Sequence, residues 1–228
     1  MSWKEWIRTA EVEPSLYAAD FARLGDQIEV LLHAGARIFQ FDVGDGQFIA
    51  PITIGPIVLE SIAPVVHAGG GVVDCHLMIV EPHRHFAAFA KAGGDSVTVH
   101  FEVVGEHLPD VVAQAREHGL EVGLAFNPET RVAQAATAAI AADVDLVVCM
   151  SIHPGYSGQE FMPEALERIR ELRQLLPEGM PIQVDGGVGF DNIRSIYEAG
   201  ANLFVAGSSV FGREDIMRAY HRLVSALA

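Results

Sequence analysis

Two aspartates lie far apart in the chain but in similar settings, Asp42 in "FQFDVGDGQF" (39–48) and Asp185 in "IQVDGGVG" (182–189). Each follows an apolar run, Asp185 directly before a glycine pair and Asp42 two residues before Gly44. A carboxylate at a strand end can take or give a proton, and a pair of them can do both on opposite sides of one carbon. The local alternative is that each Asp caps a turn or the helix that follows. A histidine joins the set in "VVDCHLMIV", where Asp74 and His76 are two residues apart and so share one side of a strand. His with carboxylates is a usual donor set for a divalent metal, although a lone His after a strand is commonly a hydrogen-bonded structural residue.

Three glycine-bearing loops offer a second kind of chemistry. "SIHPGYSGQEF" carries Gly155, Tyr156, Ser157 and Gly158, "VDGGVG" carries Gly186 and Gly187, and "VAGSSVFG" carries Gly207 and Ser208. Backbone amides in such loops, with helix N-termini behind them, hold a small anion without Lys or Arg.

The elements that must position these residues alternate along the whole chain. Eight β-rich runs, from "EPSLYA" and "RIFQFDV" to "MPIQVDG" and "ANLFVAG", are separated by segments such as "FMPEALERIRELRQLL" in which apolar residues return every three or four positions. Near-continuous apolar strands are buried on both faces, and eight strand–helix units in 228 residues fit a parallel (β/α)8 TIM barrel forming a single domain. A doubly wound open sheet is the structural alternative. In a closed barrel, Asp42 at the end of the second strand, His76 on the third and Asp185 on the seventh would lean over one mouth. His100 and His153, near strand ends, either touch a substrate or sit in a hydrogen-bonded rim, and the other histidines read as surface residues.

Composition narrows the functions. Half of the residues are hydrophobic, which allows a large core, and a net charge of −15 with only fifteen Lys and Arg argues against a nucleic-acid partner. No run reaches the roughly 18–20 apolar residues that span a bilayer, so no membrane contact and a cytoplasmic location are expected. Cys75 and Cys149 lie in apolar runs and read as buried thiols. Residues 1–12 are expected to extend the barrel, with Trp3, Trp6 and Ile7 on a short amphipathic helix that packs on the barrel or on a partner subunit.

Taken together, "PSLYAADFARL", "FDVGDGQFIAPITIGP", "DCHLMIVEP", "MSIHPGYSGQEFMPEALERI", "QVDGGVGFDNI" and "AGANLFVAGSSVFG" closely resemble, in this order and spacing, the ribulose-phosphate 3-epimerase family. The resemblance runs from about Glu13 to Gly212 and implies a barrel that inverts C3 of a small phosphorylated ketose, with a divalent metal (Zn, Fe, Mn or Co). It implies Asp42 and Asp185 as the acid–base pair, and also as metal ligands with His76. Around the substrate it implies Ser15, His76 and Met78, and around the phosphate Gly155, Tyr156, Ser157, Gly158, Gly186, Gly187, Gly207 and Ser208. The leading reaction is between ribulose 5-phosphate and xylulose 5-phosphate, and a homo-oligomer is expected.

The chain departs from the family's pattern around its second strand. Gln40 stands where a histidine ligand is common, and an amide oxygen is a poorer ligand than imidazole for zinc-like ions. Gly44 replaces a frequent Met, which is expected to open space at the mouth, and Gln47, Ala50 and Pro51 alter the following loop. These changes leave room for another ketose phosphate such as allulose 6-phosphate, or for a phosphosugar-binding protein without catalysis. Barrel decarboxylases and synthases usually place a lysine beside their acids, and the only lysines here are Lys4 and Lys91.

Overall fold

Strands form where β-branched and aromatic residues run together, and each is followed by a helix that buries one of its faces. The computed structural model describes residues 2–228, apart from the side chain of Lys4; Met1, the first residue of the expected extension, lies outside the described residues. The strands are β1 (Glu11–Pro14), β2 (Ile38–Gly44), β3 (Val72–Met78), β4 (Ser96–His100), β5 (Glu121–Phe126), β6 (Leu146–Met150), β7 (Ile182–Asp185) and β8 (Leu203–Ala206). All pair in parallel, in the order β1-β8-β7-β6-β5-β4-β3-β2. A single parallel bridge between Ser15 and Gln40 joins β1 to β2 and returns the sheet on itself.

The result is the single-domain (β/α)8 barrel and not the open sheet. Helices follow each strand in turn, among them Leu24–His33 after β1, Pro56–Ala68 after β2, Ala165–Leu175 after β6 and Ile216–Ser225 after β8. The first strand starts earlier than its apolar run suggests. Glu11 and Val12, which the sequence groups with the extension, already pair with Leu203 and Phe204 of β8.

Alternation along the strands separates two environments. On β2, Phe39, Phe41 and Val43 face outward into the apolar layer beneath the helices. Ile38 belongs to a separate apolar cluster inside the ring, with Val72, Leu146, Val148 and Leu203. The lumen is closed at this end by a short helix, Trp3–Trp6, whose two indoles pack edge to face at 5.0 Å and are buried in the same cluster. Ser2 begins this helix, its N–H donating to the Glu5 carboxylate at 2.8 Å. The N-terminal tryptophans are thus the floor of this barrel.

Candidate active site

At the other end of the lumen, the inward positions are polar. Five strands converge there, Ser15 following β1, Gln40 and Asp42 on β2, His76 on β3, His100 on β4 and Asp185 on β7. The register pairs Asp42 with His76 across adjacent strands, so both side chains enter the lumen at one level. Ser15 Oγ donates to Asp42 Oδ2 at 2.6 Å. Gln40 Nε2 donates to Asp42 Oδ1 at 2.8 Å and to Asp185 Oδ2 at 2.9 Å. His76 Nδ1 lies 3.1 Å from Asp42 Oδ1 and 3.2 Å from Asp185 Oδ2. Two acids separated by 143 residues in the chain are therefore held by the same amide and the same imidazole.

A cleft open to solvent lies above them and is lined by Ser15, Asp42, Met78, Asp185 and all three glycine-bearing loops, at Gly155 to Gly158, Gly186 to Val188 and Gly207 to Ser208. Among the described residues no Lys or Arg lines it, so an anion there would be met by backbone amides. The loop after β7 requires glycine: Gly187 has φ +62°, and a Cβ on it would lie 2.4 Å from the Phe161 backbone nitrogen. Ser151 fixes the edge of the cleft, its hydroxyl donating to the Gly186 carbonyl at 2.6 Å with the Asp185 carbonyl 2.9 Å away. Residues 11–211 match the Ribulose-phosphate 3 epimerase family.

The chain belongs to this family.

Among its relatives, the ribulose-phosphate 3-epimerase of Bacillus subtilis (strain 168) is 40% identical, over 92% of this chain and 95% of the relative. The ribulose-phosphate 3-epimerase of Synechocystis sp. is 42% identical, over 91% of this chain and 90% of the relative. This family member is accordingly an isomerase of the epimerase class, acting on a ketose phosphate. A solved 3-hexulose-6-phosphate synthase superposes with TM-score 0.73 at 20% identity, covering 96% of this chain and all of that one, which is a likeness of fold alone.

The epimerase site has the donor set for a cation. Ligand atoms of Asp42, His76 and Asp185 all lie within 4.8 Å of one another. Three acceptors turned toward one point repel one another unless a proton or a metal ion sits between them. Without a metal the proton takes that place: burial works to lower the His76 pKa, but Asp185 and Asp42 outweigh it and push the imidazole up to about 10. Asp185 is raised by burial and then by the Asp42 charge, against the pull of His76 and Gln40. Gln40 fits the same centre in a limited sense. Its Nε2 donates to both acids and its buried Oε1 has no hydrogen-bond partner among the described residues; a cation between the acids would displace those two bonds and free the amide to turn its oxygen inward.

Three expectations need revision or addition. Gly44 does not open the mouth, because a Cβ there would meet Ile49 Cδ1 at 2.6 Å: the isoleucine from the following loop fills the notch. His100 is fully buried behind His76 and does not reach the rim, and His153 is exposed and pairs with Glu129 at 3.1 Å, outside the cleft lining. The sequence reading missed Tyr17, Met150 and Ile152 in the lining, and also Glu13, fully buried below the acids. Period-two alternation was the available signal, since Met150 follows inward Val148 and Glu13 precedes inward Ser15 by two.

Proposed function

We propose that this epimerase interconverts D-ribulose 5-phosphate and D-xylulose 5-phosphate by moving the C3 proton between Asp42 and Asp185. The observation that carries the reading is that the two carboxylates, from β2 and β7, face one cleft together with the glycine-bearing loops. A substrate whose phosphate lies on the amides near Gly187, Gly207 and Ser208 extends its other end over the acids. Ser15 and Met78, both in the lining, then flank the reacting carbons.

The two acids have unequal surroundings, which suits two-base inversion. Asp42 accepts from Ser15 and Gln40 and lies 3.1 Å from His76 Nδ1, and is the one assigned to take the proton. Asp185, raised by burial, is the one that holds a proton and delivers it to the opposite face. In the reverse direction the roles exchange. Asp42, His76 and Asp185, with Gln40 turned to present its oxygen, would hold a divalent cation. Such a cation supplies Lewis-acid stabilisation of the negative charge that develops on oxygen when the proton next to the carbonyl leaves.

The test is proton NMR of D-ribulose 5-phosphate in D2O with the purified chain and added Mn2+ or Zn2+ as separate samples. Loss of the C3 proton signal together with formation of xylulose 5-phosphate is expected. Turnover of allulose 6-phosphate with no turnover of ribulose 5-phosphate would overturn the substrate assignment, and no exchange with either sugar would overturn the reaction.

A further inference from the structure

The hydrogen-bonded network of the site continues behind His76. On the side away from the aspartates, His76 Nε2 lies 2.9 Å from His100 Nε2, with the two rings within 14° of parallel. His100 is fully buried, and Phe48 from the loop after β2 covers it at 4.7 Å between ring centroids. His100 Nδ1 faces Glu102 Oε2 at 3.3 Å. The other carboxylate oxygen, Glu102 Oε1, accepts from the Asn127 N–H at 2.7 Å and from the Thr130 hydroxyl.

Hydrogen accounting along this row has one solution once His76 Nδ1 is committed to a cation. Two ring nitrogens 2.9 Å apart share a single hydrogen: none would oppose two lone pairs, and two would collide. A carboxylate offers only lone pairs, so His100 Nδ1 must carry a hydrogen toward Glu102. Burial is the largest influence on Glu102 and acts to raise its pKa, yet the bonds from His100, Thr130 and the Asn127 N–H together hold it below the usual range, as an anion. His76 Nδ1, 3.1 Å from Asp42 Oδ1 and 3.2 Å from Asp185 Oδ2, is the nitrogen that would meet a cation, and a neutral imidazole with that nitrogen committed carries its hydrogen on Nε2. The shared hydrogen then belongs to His76, and His100 Nε2 accepts it.

We propose that Glu102 acts through His100 as a positioning residue that keeps the hydrogen of His76 on Nε2, so that Nδ1 stays aimed at the cation position between Asp42 and Asp185. The proposal rests on the reading of His76 as a ligand. Its physical content is preorganisation: the Nε2 hydrogen that binding requires is already in place, and is held there by a carboxylate two residues beyond the end of β4.

Glu102→Gln is the informative variant. The Oε1 position receives two donors, so the amide oxygen must occupy it, and the NH2 group is turned toward His100 Nδ1. His100 Nδ1 must then be bare and Nε2–H protonated, and His76 gives up the shared hydrogen and carries one on Nδ1 instead. The experiment is long-range 1H–15N correlation on the full chain labelled in histidine, without and with Zn2+, beside calorimetric Zn2+ affinity and thermal unfolding. Wild type is expected to show His100 protonated at Nδ1 in both conditions, and His76 protonated at both ring nitrogens without Zn2+ and at Nε2 alone with it. E102Q is expected to show His100 protonated at Nε2 and to bind Zn2+ about 10–100-fold more weakly. Its melting temperature is expected to change little. Wild-type His100 protonated at Nε2 would overturn the proposal even if the variant does not fold, and so would E102Q with unchanged tautomers. Failure of wild type to bind Zn2+ would instead remove the ligand reading, while the tautomers are still read in the metal-free protein.

Discussion

The lumen of this barrel consists of two regions built by the same strands. At the amino ends of the strands, Trp3, Trp6, Ile38, Val72, Leu146 and Leu203 fill it with apolar surface. At the carboxyl ends the inward positions belong to Ser15, Gln40, Asp42, His76, His100 and Asp185. Between them lie Glu13, accepting from Gln183 at 2.6 Å, and Asp74, accepting from Ser96 at 2.6 Å. The lower region stabilises the fold by roughly 25 cal/mol for each Å² removed from water. The upper region works against it, because buried carboxyls and oxygens without partners cost free energy. The difference teaches where stability and chemistry are divided: the floor carries the closure of the lumen, which lets the mouth keep groups that packing alone would exclude.

The largest effect that would sharpen this contrast is at the mouth. Asp42→Asn or Asp185→Asn is expected to slow exchange of the substrate C3 proton with D2O by about 10²–10⁴-fold or more. Some fall in melting temperature is expected, because each carboxylate accepts buried hydrogen bonds that an amide keeps only in part, so exchange is read per folded molecule. Retained exchange in either variant would take that residue out of the acid–base pair. At the floor the balance reverses. Trp3→Ala or Trp6→Ala should cost about 3–5 kcal/mol in urea unfolding, while the exchange rate per folded molecule stays near wild type. A stable variant with lost activity would break the division drawn here.

Two smaller effects probe the layer between. Gln40→His is expected to tighten Zn2+ binding by about tenfold, read by calorimetry, because imidazole is the better ligand for zinc. Unchanged affinity would mean that the side chain at 40 does not turn toward the acids. Glu13 is raised well above its ordinary range by burial and then by the Asp74 charge. A carboxyl with a raised pKa binds more protons folded than unfolded, so stability falls as pH climbs above about 4.5 toward the folded pKa. Glu13→Gln should therefore raise the melting temperature at pH 8 by a few degrees, about 1 kcal/mol, with the gain shrinking toward pH 4.5. A gain independent of pH would locate the effect in packing instead.

Much of the barrel was legible because a buried parallel strand is an apolar run and the helices between carry a period near 3.6. The acids at 42 and 185 could be set over one mouth because strand ends in a closed ring share a face. What alternation does not reveal is depth. His100 lies on the inward side of β4, as its pattern with Ser96 and Thr98 implies, but its burial depends on Phe48 folding back from the loop after β2. Likewise, the absent side chain at Gly44 read as space, because the return of Ile49 over it is a tertiary fact. The tryptophans at 3 and 6 were read as packing on the barrel or on a second subunit, and local sequence does not distinguish an outer wall from the inside of the floor.

Around most of the ring, neighbouring strands are held by continuous ladders, whereas β1 meets β2 through the lone bridge of Ser15 and Gln40. The same two residues donate from their side chains to the two acids at the mouth. The clasp of the cylinder and the grip on its chemistry are therefore one object. Momentary unfastening there would disarm the enzyme while leaving the other seams intact, and whatever draws Asp42 and Asp185 together also fastens the cylinder shut.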